Sequence, residues 1–205
     1  MARSTSILGP YEIDPNNPML TSYGAPDLLL QKAGHGSLVE TQTGEWYLAH
    51  LCARPTVEHY CTLGRETALQ KCNWDVNGWL RLDGGGNRPL VEVKDPGLRV
   101  YPFEAEEMMD DFDESQLGLQ WNTLRIPPDA SWLSLQERRG YLRLRGLESL
   151  SSWHRQSLVA RRQQSFTFEA ETQLEFEPEN FQQMAGLILY YNTDDYVYLR
   201  ITRDI

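Results

Sequence analysis

Hydrophobic and polar positions alternate along most of this chain, and long helical periodicity is absent, so the pattern predicts strands almost throughout. Leu38-Val39-Glu40 and Trp46-Tyr47-Leu48-Ala49-His50-Leu51 flank a turn at Thr41-Gln42-Thr43-Gly44. The second of these strands is apolar on both faces: Trp46 and Leu48 point one way, Tyr47, Ala49 and Leu51 the other. Such a strand must be covered on both sides. A second hairpin turns at Asn77-Gly78, where both central positions tolerate positive φ. Trp74 and Trp79-Leu80-Arg81-Leu82 flank it, and Gly84-Gly85-Gly86-Asn87 reads as a loop.

The second half alternates more cleanly. Phe166, Phe168, Ala170, Thr172, Leu174 and Phe176 fall on one face, and Thr167, Glu169, Glu171, Gln173 and Glu175 fall on the other, as in a sheet with one wet face. Tyr141-Leu142-Arg143-Leu144-Arg145 repeats the pattern. Leu187-Ile188-Leu189-Tyr190-Tyr191 and Tyr196-Val197-Tyr198-Leu199-Arg200-Ile201 flank a turn at Asn192-Thr193-Asp194-Asp195. Short strands with such turns predict a β-sandwich. Between the halves, Tyr101 to Glu114 holds Glu104, Glu106, Glu107, Asp110, Asp111, Asp113 and Glu114 with no basic residue, which predicts a solvated acidic linker and a domain boundary. Ile205 follows a strand without a closing element, and an open strand edge predicts that the chain is a piece of a longer protein.

Composition narrows the function classes. Of 205 residues, 40% are hydrophobic and 23% charged, an ordinary globular balance, and 29 acidic against 19 basic side chains give a net charge of −10. That charge argues against a nucleic-acid partner and against an anionic membrane surface, and it leaves a neutral ligand such as a sugar compatible. No run of about 18 apolar residues exists to span a bilayer. Met1 to Ser6 lacks the apolar core of a signal peptide. Cys52, Cys61 and Cys72 are odd in number and lack a C-x-x-C spacing, so they read as reduced thiols of a cytoplasmic protein.

Individual residues offer chemistry with ordinary alternatives. Arg65, after Gly64, is either a fixed guanidinium for a polar ligand or a turn arginine paired with Glu66 or with a surface carboxylate. His35, between Gly34 and Gly36, is either a ligand for metal or water or a hydrogen-bonded core residue; His50 reads as core packing. The tryptophans Trp46, Trp74, Trp79, Trp121, Trp132 and Trp153 suit sugar stacking or, at strand spacing, a core. Arg138, Arg139, Arg143, Arg145, Arg155, Arg161 and Arg162 form either a phosphate or docking surface or a solvated face offset by carboxylates.

Ordered motifs add a resemblance. Gly34-His35-Gly36-Ser37-Leu38-Val39-Glu40-Thr41, Gly44-Glu45-Trp46-Tyr47-Leu48-Ala49-His50-Leu51 and Leu63-Gly64-Arg65-Glu66-Thr67-Ala68 resemble glycoside hydrolase family 43, and most closely its intracellular β-xylosidases, some of which also cleave α-arabinofuranosides. Gly9-Pro10-Tyr11-Glu12 fits the same alignment. Asp110-Asp111-Phe112-Asp113, Leu124-Arg125-Ile126-Pro127, Ala160-Arg161-Arg162-Gln163 and Phe181-Gln182-Gln183-Met184-Ala185-Gly186-Leu187 are similar to the concanavalin A-like sandwich that follows the catalytic domain there.

The resemblance implies an all-β chain: C-terminal blades of a five-bladed β-propeller over residues 1–100, an acidic linker over 101–109 and the N-terminal part of a concanavalin A-like sandwich over 110–205. It implies inverting hydrolysis of short xylooligosaccharides in carbohydrate metabolism, by a general base, a general acid and a tuning carboxylate. All three lie upstream of Met1, so no catalytic residue is assigned in this chain. Arg65 matches the arginine of the sugar subsite at the cleaved bond. His35 matches a histidine near the propeller axis, where it holds water or calcium; no cofactor is required, and calcium is the one candidate metal. The loop from Arg54 to Tyr60 is shorter than in relatives, which alters the pocket rim. A homo-oligomer is compatible with this reading. The alternative is a non-catalytic carbohydrate-binding sandwich.

Overall fold

A computed structural model describes residues 1–204, and all regular structure among them is strand. Ile205, whose position bore on the expectation of a longer protein, lies outside the described residues. The chain divides into two compact units, Met1–Pro102 and Phe103–Ile205.

In the first unit, β1 (Ala2–Arg3) pairs with β2 (Glu12–Ile13). The main sheet is an antiparallel meander in which β3 (Gln31–Glu40), β4 (Trp46–Ala53), β5 (Glu66–Trp74) and β6 (Leu80–Leu82) each pair with the next in sequence. A four-stranded meander is the blade unit of a propeller. Turn chemistry sets the hairpins. Gly44 takes φ 79°, and the Thr41 amide donates to the Glu45 carbonyl at 2.8 Å. At the other turn Gly78 takes φ 72°, and Asp75 Oδ1 accepts from the amides of Asn77 and Trp79 at 2.9 Å.

Both faces of β4 are covered, as its apolar pattern requires: Tyr47, Leu48, His50, Cys52 and Ala53 are all buried. Leu48 joins Leu20, Cys72, Leu80 and Leu82 in a core closed by Met19, Ala33 and Trp46. Tyr47, on the opposite face, donates its hydroxyl to the Lys94 carbonyl at 3.0 Å. Gln70 exchanges hydrogen bonds with the backbone of Leu90 at 2.8 and 3.1 Å, fixing the chain that leaves β6. Asp14, 1% exposed, receives a forked pair of hydrogen bonds from Arg81 at 2.5 and 3.0 Å, and Arg81 also meets Asp75 at 3.1 Å.

In the second unit, β7 (Trp121–Thr123) pairs with β10 (Val159–Arg161), β8 (Leu133–Ser134) with β9 (Arg143–Leu144), and β11 (Ala185–Tyr190) with β12 (Tyr196–Ile201). Trp132 is fully buried, and Leu133 and Leu135 are buried as well. The structure differs from the sequence pattern over 166–176. None of these residues belongs to a strand, and Phe166, Phe168 and Leu174 are 45%, 43% and 38% exposed. Alternation makes a segment fit to pair, but a ladder needs a partner edge, and no strand among the described residues supplies one.

Candidate functional site

The glycines around His35 bend β3 rather than precede it. Sequence alternation starts the strand at Leu38, yet pairing with β4 runs back to Gln31 through register shifts between Gln31 and Gly34 and between Gly34 and Gly36. His35 sits at this irregularity with φ 48°, a left-handed conformation uncommon for a non-glycine residue. Bulges re-aim side chains and recur beside functional sites.

Arg65 comes from the loop before β5, after Gly64 at φ 75°. His35 and Arg65, thirty positions apart in sequence, line one open pocket of about 280 Å³ together with Ser37, Ala49, His50, Leu51, Glu66 and Thr67. Glu66, the carboxylate offered above as a partner for Arg65, is engaged by Arg54: its oxygens accept from Arg54 Nε at 3.0 and 3.1 Å, from Nη2 at 2.8 Å and from the Arg54 amide at 3.2 Å. Such a fork is strong and geometrically fixed. The hydrogen bond to Glu66 raises the pKa of Arg54 further above its ordinary value. The short loop expected at the rim closes on itself, the Thr56 amide donating to the Tyr60 carbonyl at 2.7 Å.

His50, read from alternation as core packing, is both buried and part of the pocket wall. Periodicity shows its phase on β4 but not its register against β3 and β5, so nothing in the sequence places it beside His35 and Arg65.

Among the described residues, no group of three or more His, Cys, Asp or Glu side chains is arranged to hold a metal ion. Calcium prefers six to eight oxygen ligands, and in this pocket the Glu66 carboxylate is already committed to Arg54. The residues present do not fit a calcium site of their own. Cys52, Cys61 and Cys72 are free thiols, and burial pushes Cys72 up to about 11 and raises Cys52, which makes both poor nucleophiles.

The arginine-rich stretch does not converge on a ligand. Arg138 forks onto Glu175 at 2.5 and 3.1 Å, Arg143 and Arg145 share Glu137, Arg139 meets Asp113 at 3.4 Å, and Arg161 meets Glu106 at 3.5 Å. This is the solvated face offset by carboxylates. Of the tryptophans, Trp79 and Trp132 are core residues, and Trp46 packs edge-on against Trp74 with ring centroids 5.6 Å apart.

Comparison with known proteins assigns both halves. Residues 1–80 match the family described as Glycosyl hydrolases family 43, and residues 109–205 match the Beta xylosidase C-terminal Concanavalin A-like domain. Over these two stretches the chain is similar to glycoside hydrolase family 43 and to the C-terminal domain of its β-xylosidases. It is 48% identical over 214 residues to a Beta-xylosidase of Bacillus subtilis (strain 168), covering 100% of this chain and 40% of the relative. It is 35% identical to a non-reducing end alpha-L-arabinofuranosidase of Bacteroides ovatus, covering 98% of this chain and 38% of that protein. Among solved structures, the xylan beta-1,4-xylosidase of Bacillus halodurans C-125 superposes with a TM-score of 0.92 at 67% identity, over 98% of this chain and 38% of that one. The chain thus spans about 40% of the length of the curated family 43 relatives it matches. The all-strand architecture, the blade-like meander and the sandwich-type second unit agree with that family.

Proposed function

We propose that this chain supplies one wall of the sugar pocket of an inverting family 43 glycosidase that removes terminal xylose, with arabinofuranose as the competing substrate, from short xylooligosaccharides. One observation carries the reading: His35 and Arg65, singled out by separate motifs, line the same pocket. A guanidinium donates in a fixed plane and lacks an acceptor, which suits the lone pairs of sugar hydroxyls. Holding the ring in place contributes positioning, and bonds strengthened in the distorted transition state lower the barrier. His35 serves here as a hydrogen-bonding partner of water, or of the hydration shell of a calcium ion held by other residues. The general acid and base belong to parts of the whole enzyme that are not in this chain. The three free thiols suit a reducing, cytoplasmic setting.

The test is a chimera in which this chain replaces the matching segment of the Bacillus subtilis relative. It is expected to cleave an aryl β-xyloside, and Arg65→Ala in the chimera is expected to lower kcat/KM about a hundredfold or more. A folded chimera inactive on both β-xylosides and α-arabinofuranosides, or indifferent to Arg65→Ala, overturns the proposal.

A further inference from the structure

His50 lies in the middle of β4, in register with Gly36 on β3 and with Ala68 on β5. Its ladder neighbours therefore bring a hydrogen and a methyl group beside the imidazole, and no bulky side chain. His50 is 1% exposed and is one of the residues that line the pocket with His35 and Arg65. Nδ1 stands 2.9 Å from the Leu51 carbonyl. A carbonyl only accepts, so in the neutral ring the proton is on Nδ1 and Nε2 carries a lone pair. That Nε2 is a buried side-chain atom with no hydrogen-bond partner, whereas the buried Asp14, Gln70 and Gln156 are all bonded. A buried acceptor left unpaired is costly, and such exceptions call for an explanation.

We propose that His50 Nε2 accepts a hydrogen bond from a hydroxyl group of the sugar bound in this pocket. The inference rests on the reading of that pocket as a sugar site and adds a positioning residue to it. The chemistry is complementary. Arg65 can only donate, so it engages hydroxyl oxygens and leaves their protons seeking an acceptor. The Glu66 carboxylate in the same wall is taken up by Arg54. The lone pair of His50 supplies an uncommitted acceptor, closed to bulk water, that one sugar hydroxyl satisfies. A site built to bond a hydroxyl discriminates against the analogue that lacks it.

The test is long-range nitrogen NMR on the labelled full chain, with the His50 signals assigned by their loss in His50→Gln. The free chain is expected to show the Nδ1–H form at His50. Titration with D-xylose is expected to shift His50 Nε2 in the direction of hydrogen bonding, with the same saturation curve as Arg65 Nε. His50→Gln, whose amide oxygen stands near the Nε2 position, is expected to keep xylose affinity within about threefold, and His50→Leu to weaken it about tenfold. If His50→Leu fails to fold, the wild-type shift and the His50→Gln affinity still decide. Xylose shifts at Arg65 with His50 Nε2 unmoved overturn the assignment and leave the pocket reading intact. So does an Nε2 already hydrogen-bonded in the free chain and indifferent to sugar, which marks a resident water. No response at Arg65 or His50 to D-xylose or L-arabinose defeats the pocket reading itself, and this inference with it.

Discussion

A methyl group added to Gly36 would lie 2.7 Å from Cδ1 of Leu48 and 2.8 Å from its Cγ. Leu48 is 8% exposed and locked into the core with Leu20 and Leu80, so it has little room to retreat. Gly36→Ala is therefore expected to destabilise the chain by about 1–3 kcal/mol, the usual range for overpacking, read as a lowered urea midpoint. Gly34, with nothing within 4 Å of an added Cβ, is the control, and Gly34→Ala is expected to cost far less. The glycines flanking His35 stand out in the sequence, and glycine lets a neighbouring segment approach the backbone closely. What approaches was not legible: Leu48 reaches this spot only because the strands pair in one register, and register depends on bulges that alternation does not encode.

At the level of elements, one buried ion pair ties down strands that are too short to hold themselves. β1 and β2 have two residues each, and the Asp14–Arg81 pair joins the residue after β2 to the middle of β6. The hydrogen bond from Arg81 is the main influence holding the Asp14 carboxyl below the ordinary carboxylate range, against the opposing effect of burial. The folded value is depressed, so the unfolded chain binds protons first as pH falls. The stabilisation is full above the unfolded carboxylate value near pH 4 and is lost as pH drops through the lower folded value. Asp14→Asn is expected to reduce stability at neutral pH and to flatten the fall of the urea midpoint below about pH 4, the window set by the unfolded value. An unchanged acid profile would show that the pair does not matter. In the second unit, β11 approaches β12 so closely that a Cβ on Gly186 would lie 2.0 Å from the Leu199 carbonyl oxygen. Gly186→Ala is expected to break this hairpin, seen as faster amide exchange at Leu187, Leu189 and Leu199. The hairpin itself was readable from its two apolar runs and the Asn192-Thr193-Asp194-Asp195 turn. The stretch 166–176 was misread because alternation reports a capacity to pair, not the presence of a neighbour.

For the whole molecule, the all-strand class and the two hairpins of the first unit followed from turn residues and periodicity, whereas the meander that joins them and the pocket followed only from three dimensions. Sequence motifs named His35 and Arg65 but could not show that Glu66 is held by Arg54, or that His50 joins the wall. That arrangement decides what the chain can do chemically. Inverting hydrolysis requires two carboxyl groups about 6.5–9.5 Å apart, one of them protonated to release the leaving group. Glu66 is the carboxylate among the described lining residues, and its oxygens are taken up by the Arg54 guanidinium fork and the Arg54 amide. No second carboxylate faces it in the lining, so the pair that inverting hydrolysis needs is incomplete there. The chain by itself is therefore expected to release no product from an aryl β-xyloside above the buffer rate, and Glu66→Gln is expected to leave that background unchanged. Turnover by the purified chain that disappears in Glu66→Gln would make Glu66 a catalytic acid or base, contradicting both the fork and the proposal that this wall binds sugar while the chemistry lies elsewhere.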